Sequence, residues 1–254
     1  MVSKLNEFLR YLQNEKGYSQ GTIEVYQLDL EKGLFPFLHQ QGKFVAREVT
    51  KADIRAYLDY LATDRGNSSA TRARKLAAIR SFFNYLVETE GLEANPAASI
   101  RSPRIPEKEA EYLTDEECIR LLETIARKAK RRIRERDIAI VVLFLHTGLR
   151  VSELAKLELA NVDLDRSQIK ITRKGNKEQY LHLNGETVTT LAKYLANRPK
   201  ALNGRFFVGN NGGNLDRGYV YGIVRRYLKL AGIDKGKRGP HILRHTFCTR
   251  LHQK

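Results

Sequence analysis

Eight consecutive apolar residues, Ile138 to Leu145, run into His146-Thr147-Gly148 and then Arg150. The run is long enough for a buried helix, and Asp137 at its front is placed to cap it. Gly148 breaks that helix. Val151, Leu154 and Leu157 then repeat at the spacing of a second helix's apolar face. Arg150 therefore stands in the first turn after a glycine corner, between two apolar segments. A guanidinium there is costly to bury alone, and Glu153, three residues on, is the group that would orient it. Two readings stay open at this point: a surface Arg–Glu pair at a helix start, or an arginine that binds an anion.

Charge narrows the partner. The 254 residues carry a formal net charge of +16, and a chain this basic meets a polyanion, with nucleic acid the default. No stretch approaches a membrane span, and residues 1–17 are too polar for a secretory signal. No membrane partner is expected. The two cysteines, Cys118 and Cys248, form neither a metal nor a disulfide pattern and fit a reduced compartment. The charge is uneven. Residues 1–103 hold 14 Lys and Arg against 12 Asp and Glu, and residues 104–254 hold 31 against 17. The polar, Pro-containing stretch from Ser102 to Glu111 lies at this divide and reads as a linker. The domains are expected at 1–103 and 114–254, with 104–113 between them.

The first of these reads as four helices with no competing strand pattern. Leu5, Phe8, Leu9 and Leu12 make one face. Ser19 caps a second helix carrying Ile23, Tyr26, Leu30 and Phe37, which Pro36 is expected to kink or end. Thr50 and Asp53 form a capping-box variant ahead of Ile54, Tyr57, Leu58 and Leu61. Ser69 starts the fourth, with Leu76, Ile79, Phe82, Phe83, Leu86 and Val87 inward. The other side of that helix is polar and basic. Ser69, Thr71, Arg72, Arg74, Lys75 and Arg80 form a face suited to a DNA groove or simply to solvent. Gln20 and Thr22 are weaker candidates of the same kind.

In the second, Thr114 and Glu117 signal another N-cap. The basic run Arg127 to Arg136 reads as a solvated turn. Residues 168–173 and 178–183 alternate as paired strands, with Lys174 and Lys177 in the turn between them. Residues 205–208 read as a short strand, and 187–197 and 219–231 as helices. Pro240 suits the first turn of a last helix, where His241 and Arg244 share a face and Leu243 and Phe247 bury the other. Two arginines, a histidine and a lysine are what phosphoryl transfer needs: forked guanidinium groups hold the non-bridging oxygens and a proton donor protects the leaving oxygen.

Three segments together resemble the tyrosine recombinase (phage integrase, Xer-like) family. They are Thr147-Gly148-Leu149-Arg150-Val151-Ser152-Glu153-Leu154, Lys174-Gly175-Asn176-Lys177-Glu178 and Pro240-His241-Ile242-Leu243-Arg244-His245-Thr246-Phe247. Their order and spacing agree with the family's, and the resemblance covers essentially the whole chain. It implies a mainly α fold with a small β-sheet, built from a four-helix SAM-like core-binding domain and a catalytic domain. It also implies site-specific recombination of double-stranded DNA through a 3′-phosphotyrosine. Arg150 and Arg244 would clamp the scissile phosphate, Lys174 would be general acid for the 5′ oxygen, His241 would assist, and Glu153 would buttress Arg150. No cofactor or metal is implied, because the covalent intermediate conserves the bond energy. The implied assembly is a tetramer on two DNA sites, in the cytoplasm.

The sequence departs from the family in one respect. Family members carry their nucleophilic tyrosine beyond the His-x-x-Arg helix, and none of the 12 tyrosines here follows Arg244. Tyr219, Tyr221 and Tyr227 precede His241 and read as packing or DNA-facing residues. The expectation is a chain truncated at its C-terminus, monomeric off DNA, that binds DNA but lacks the nucleophile. The alternative is a recombinase-derived protein that occupies or regulates a recombination site without cleavage. A helix-turn-helix regulator would need none of the four site residues.

Overall fold

Two hydrophobic cores organise the chain, one in a unit of Met1–Lys108 and one in a unit of Glu109–Lys254. The computed structural model describes residues 1–106, 111–173, 177–201, 203–236 and 238–252. Part of the expected linker, residues 107–110, lies outside the described residues, as does Lys174.

The first unit is helical throughout. Helix α1 (Val2–Asn14) buries Leu5, Phe8 and Leu12. Ser19 caps α2 (Gln20–Asp29) by accepting from the Thr22 amide. Thr50 and Asp53 form the expected capping box at the start of α4 (Lys51–Thr63). Helix α5 (Ser69–Glu90) starts at Ser69, and the capping side chain is Ser68, one residue earlier. The core closes on aromatic edges: Phe82 of α5 meets Phe8 at 5.4 Å and Phe35 at 5.5 Å between ring centroids.

Pro36 does not end its helix. Between α2 and α3 (Phe35–Gln40) the backbone widens into a π-turn, Leu30–Leu34. An α-turn here would need the N–H that proline lacks and would crowd its ring against the carbonyl four residues back. The wider turn absorbs the defect, so the chain stays helical and still buries Phe35 and Leu38.

In the second unit the apolar run forms the centre of α7 (Arg131–Thr147), which follows α6 (Asp115–Lys128). Helix α7 begins six residues before Asp137, so Asp137 is not its cap. It is wholly buried in the helix interior. Its carboxylate accepts from Arg136 Nε and Nη2 at 2.9 and 2.8 Å, from the Tyr227 hydroxyl at 2.8 Å and from Arg226 at 3.4 Å. A carboxylate removed from water needs such compensation. The run Arg127 to Arg136 is solvated at Arg127, Lys128 and Lys130 to Arg132, as expected, but it is more than a turn. It is the end of α6 and the opening of α7, and Arg136 is buried.

Gly148 ends α7 with φ +59°, in the left-handed region, and α8 (Val151–Lys156) begins three residues later. A three-stranded antiparallel sheet follows in the order β1 (Val162–Asp163), β2 (Gln168–Arg173), β3 (Lys177–His182). Gln168 opposes His182 and Arg173 opposes Lys177, so Lys177 opens a strand and is not part of the turn. The expected strand at 205–208 is reduced to two isolated bridges, Glu158 with Arg205 and Val208 with Asn214. Phe206 and Phe207 are still buried there, Phe207 stacked on Tyr194 and Phe206 edge-on to it. Helices α9 (Gly185–Ala196), α10 (Arg217–Leu230) and α11 (Pro240–His252) complete the unit. The fold is mainly α with a small antiparallel sheet.

Candidate functional site

The site is built where α11 meets the glycine corner between α7 and α8. Ile242 and Leu243 are fully buried, which fixes the rotation of α11 and leaves His241 exposed and Arg244 half-buried. Arg244 donates from Nη1 to the carbonyl of Gly148. One turn on, Phe247 covers Gly148 so closely that a Cβ there would lie 2.2 Å from its Cδ1. The glycine thus serves both as a left-handed helix terminus and as the surface on which α11 seats.

Two residues past Gly148, Arg150 is the N-cap of α8. Its backbone amide donates to Glu153 Oε2 at 2.7 Å, and its Nη1 donates to Glu153 Oε1 at 2.9 Å. One carboxylate therefore holds both ends of the arginine. Glu153 is 7% exposed against 52% for Arg150, so the buried partner anchors and the guanidinium faces solvent. This is the pairing expected from the i,i+3 spacing. Arg244 is bonded to the carbonyl two residues before Arg150, which sets both arginines at one corner. His241 lies one turn before Arg244 on α11. Lys174, expected at the hairpin tip, lies outside the described residues.

Sequence reasoning passed over the surroundings of His146. Its Nδ1 lies 2.6 Å from the Thr187 hydroxyl, which also donates to Asn184 Oδ1 at 2.6 Å. His146 and His182 line a cavity of about 720 Å³ together with Asn184, Phe247 and Arg250. Arg150, His241 and Arg244 are not among its lining residues. A contact made by residues 41 apart in sequence carries no local signal.

In the first unit the basic face of α5 divides. Arg80 donates Nε to the Ala97 carbonyl at 3.2 Å and Nη1 to the Ser102 hydroxyl at 3.2 Å, and it also bonds the Ile100 carbonyl. Lys75 is bonded to the buried Asp29 at 2.8 Å, and Arg74 pairs with the same carboxylate. Arg80 and Lys75 thus also tie the first unit internally. Gln20, Thr22, Ser69, Thr71 and Arg72 occupy the first turns of α2 and α5. The hydroxyls of Ser19 and Thr22 lie 3.0 Å apart, and Arg72 Nη2 reaches Ser69 Oγ at 3.4 Å. Of the three tyrosines on α10, Tyr227 is buried, whereas Tyr219 and Tyr221 are exposed.

Among the described residues no helix is long and apolar enough to cross a membrane, and no group of three His, Cys, Asp or Glu is placed to hold a metal. Residues 111–254 match the phage integrase family, and residues 5–90 match the phage integrase N-terminal SAM-like domain. Tyrosine recombinase XerC of Caldanaerobacter subterraneus subsp. tengcongensis is 33% identical over 271 residues, covering 98% of this chain and 75% of the relative. XerC of Thermodesulfovibrio yellowstonii is 34% identical over 255 residues, covering 97% and 82%. The XerH site-specific recombinase, solved bound to a palindromic difH substrate, superposes with a TM-score of 0.77 at 24% identity, covering 100% of this chain and 74% of that one. That likeness is one of fold. The family matches and the XerC relatives carry the assignment: the chain belongs to the phage integrase family and is a tyrosine-type site-specific recombinase.

Proposed function

We propose that these 254 residues bind double-stranded DNA and activate one scissile phosphate for strand exchange. The observation that carries the reading is the bond from Arg244 to the Gly148 carbonyl, beside an Arg150 oriented by Glu153. Two guanidinium groups at one corner match the non-bridging oxygens of a phosphodiester. They stabilise the charge that builds as phosphorus becomes five-coordinate. In the full reaction a phenolate oxygen attacks phosphorus, the P–O5′ bond breaks, and Lys174 delivers a proton to the departing oxygen. His241 assists at the phosphate. The relatives support the DNA partner: XerH was solved bound to difH substrate and lambda integrase bound to a COC′ core site.

The attacking tyrosine is the part of this chemistry with no counterpart after Arg244. The roles assigned to residues 1–254 are binding and polarisation of the phosphate. A tetramer on two sites is the assembly in which full strand exchange would run, with this chain monomeric off DNA and acting in the cytoplasm. The competing reading is occupation of a recombination site without chemistry. Binding to a duplex across a salt series tests the common part. If about six phosphates are neutralised, log affinity should fall against log salt with a slope near −5, at ~0.9 per phosphate. Affinity indifferent to salt would remove nucleic acid as the partner.

A further inference from the structure

The first unit contains a basic cavity of about 340 Å³ that the recombination chemistry does not use. It is lined by residues from the π-turn, from α4 and the residues after it, and from α5. Lys32, Arg65 and Lys75 line it, and no acidic residue stands among its lining side chains. Tyr57 also lines it. That side chain is 1% exposed and its hydroxyl has no hydrogen-bond partner among the described residues. Burial pushes the phenol well above the ordinary tyrosine range, so it stays protonated at neutral pH and is available as a donor. The hydroxyl lies against Gly33, where a Cβ would come within 2.5 Å of it. Only a glycine in the π-turn allows that approach. A π-turn is a strained device found often at functional sites.

Water in the cavity would satisfy the hydroxyl, but water does not call for three cations. Lys75 shares the buried Asp29 with Arg74, so two cations meet one carboxylate and positive charge is left over. Lys32 pairs with Glu31 at 3.2 Å. The cations of this wall, with Arg74 and Arg65, still outnumber the two carboxylates they meet. An orphaned buried donor beside that excess charge is the environment that recognises phosphoryl oxygens. Phe37 adds an aromatic wall, packed on Tyr57 at 5.2 Å and on Tyr60 at 5.3 Å.

We infer that this cavity binds a phosphate group, with Tyr57 as its buried donor and Lys32, Arg65 and Lys75 as its cationic wall. Two sources share that chemistry: a backbone phosphate of bound duplex, or a free phosphorylated ligand. The first rests on the DNA-binding reading above and the second does not.

The test uses the full chain, with inorganic pyrophosphate and a duplex oligonucleotide as separate probes. Pyrophosphate binding is followed by backbone amide shifts at Lys32, Gly33 and Arg65, and duplex binding by fluorescence anisotropy. Tyr57→Phe removes the hydroxyl and leaves the ring. Loss of one hydrogen bond to a charged group should weaken binding about ten-fold or more, while the melting temperature holds or rises because an unsatisfied buried donor is gone. Arg65→Gln should weaken the same ligand and serves if Tyr57→Phe does not fold. Weaker duplex binding by both variants assigns the cavity to a DNA phosphate. Weaker pyrophosphate binding with duplex binding unchanged assigns it to a free ligand. Wild-type affinity of both variants for both probes overturns the proposal, as does wild-type protein that shifts with neither. A wild-type protein that binds pyrophosphate at these amides but no duplex would keep the cavity and sink the DNA reading.

Discussion

Arg244 on the last helix donates to the carbonyl of Gly148, 96 residues earlier in the chain. This bond ties the His-x-x-Arg helix to the corner from which Arg150 projects. The corner is shaped by backbone: a left-handed glycine that no side chain could replace without displacing Phe247. The positions of both arginines thus depend on a residue with no chemistry of its own.

Gly148→Ala should therefore destabilise the second unit by about 2 kcal/mol or more. The left-handed backbone alone costs an L-residue roughly 1–2 kcal/mol, and displacing the Phe247 ring adds to it. In a Phe247→Ala background the added cost should fall to the backbone part alone. Denaturant melts of the four proteins give the comparison. An equal cost in both backgrounds would show that Phe247 does not crowd the glycine.

Asp137→Ala should be among the most damaging single changes in the second unit. It would leave the buried Arg136 without its carboxylate. Removing one partner of a buried pair typically costs about 3–5 kcal/mol. Chemical denaturation reads this directly, and a cost below about 1 kcal/mol would mean that water reaches Arg136.

Alkaline conditions probe the same cluster. Burial raises the Tyr227 phenol to about 12, with the Asp137 carboxylate adding to the shift. An acid whose folded-state value is raised keeps its proton longer in the native state. Above about pH 10 the unfolded chain binds fewer protons than the native one, so unfolding free energy falls as pH rises, until about pH 12. Tyr57 and Tyr194 are shifted the same way by burial and steepen the fall. Tyr227→Phe should flatten part of that slope in melts taken between pH 9 and about 11. An unchanged slope would place Tyr227 outside the titration.

These contrasts mark what the sequence could carry. Glu153 beneath Arg150 was legible because three residues along a helix bring side chains to one face. The capping boxes at Thr50 and Thr114 were legible for the same local reason. Asp137 was misplaced because an acidic residue before an apolar run reads as a cap, whereas its partners Tyr227 and Arg226 come from α10, about ninety residues away. At Pro36 a kink or an end was expected, and proline gives no sign of the π-turn that carries the helix past it. The internal bonds of Lys75 and Arg80 were not legible, since periodicity shows that residues share a face and not what the face meets.

That division of α5 is itself testable. Arg80→Ala should lower the stability of the first unit by about 2 kcal/mol, the scale of bonds from a charged donor to backbone carbonyls. It should leave the salt dependence of duplex binding alone. Arg72→Ala should do the reverse, reducing the magnitude of the salt slope by ~0.9 if its guanidinium neutralises one phosphate. A reduced slope for Arg80→Ala would return Arg80 to the interface.

The last prediction concerns covalent chemistry. The 254-residue polypeptide should retain a duplex on a native gel and leave none attached on a denaturing gel. Arg150 and Arg244 can stabilise charge on a five-coordinate phosphorus, but stabilisation lowers a barrier only for a nucleophile held in line. Tyr227 cannot serve: it is buried, its hydroxyl is bonded to Asp137, and its phenol is shifted away from the ionised form that attack requires. Tyr219 and Tyr221 are exposed on α10, so they are the residues to replace by Phe if an adduct does form. An adduct that survives denaturation and disappears in Tyr219→Phe or Tyr221→Phe would move the nucleophile to α10. An adduct indifferent to both would direct the search to the remaining tyrosines. A suicide duplex with a nick beside the cleavage position is the substrate to use, because loss of the short strand traps even a rare attack.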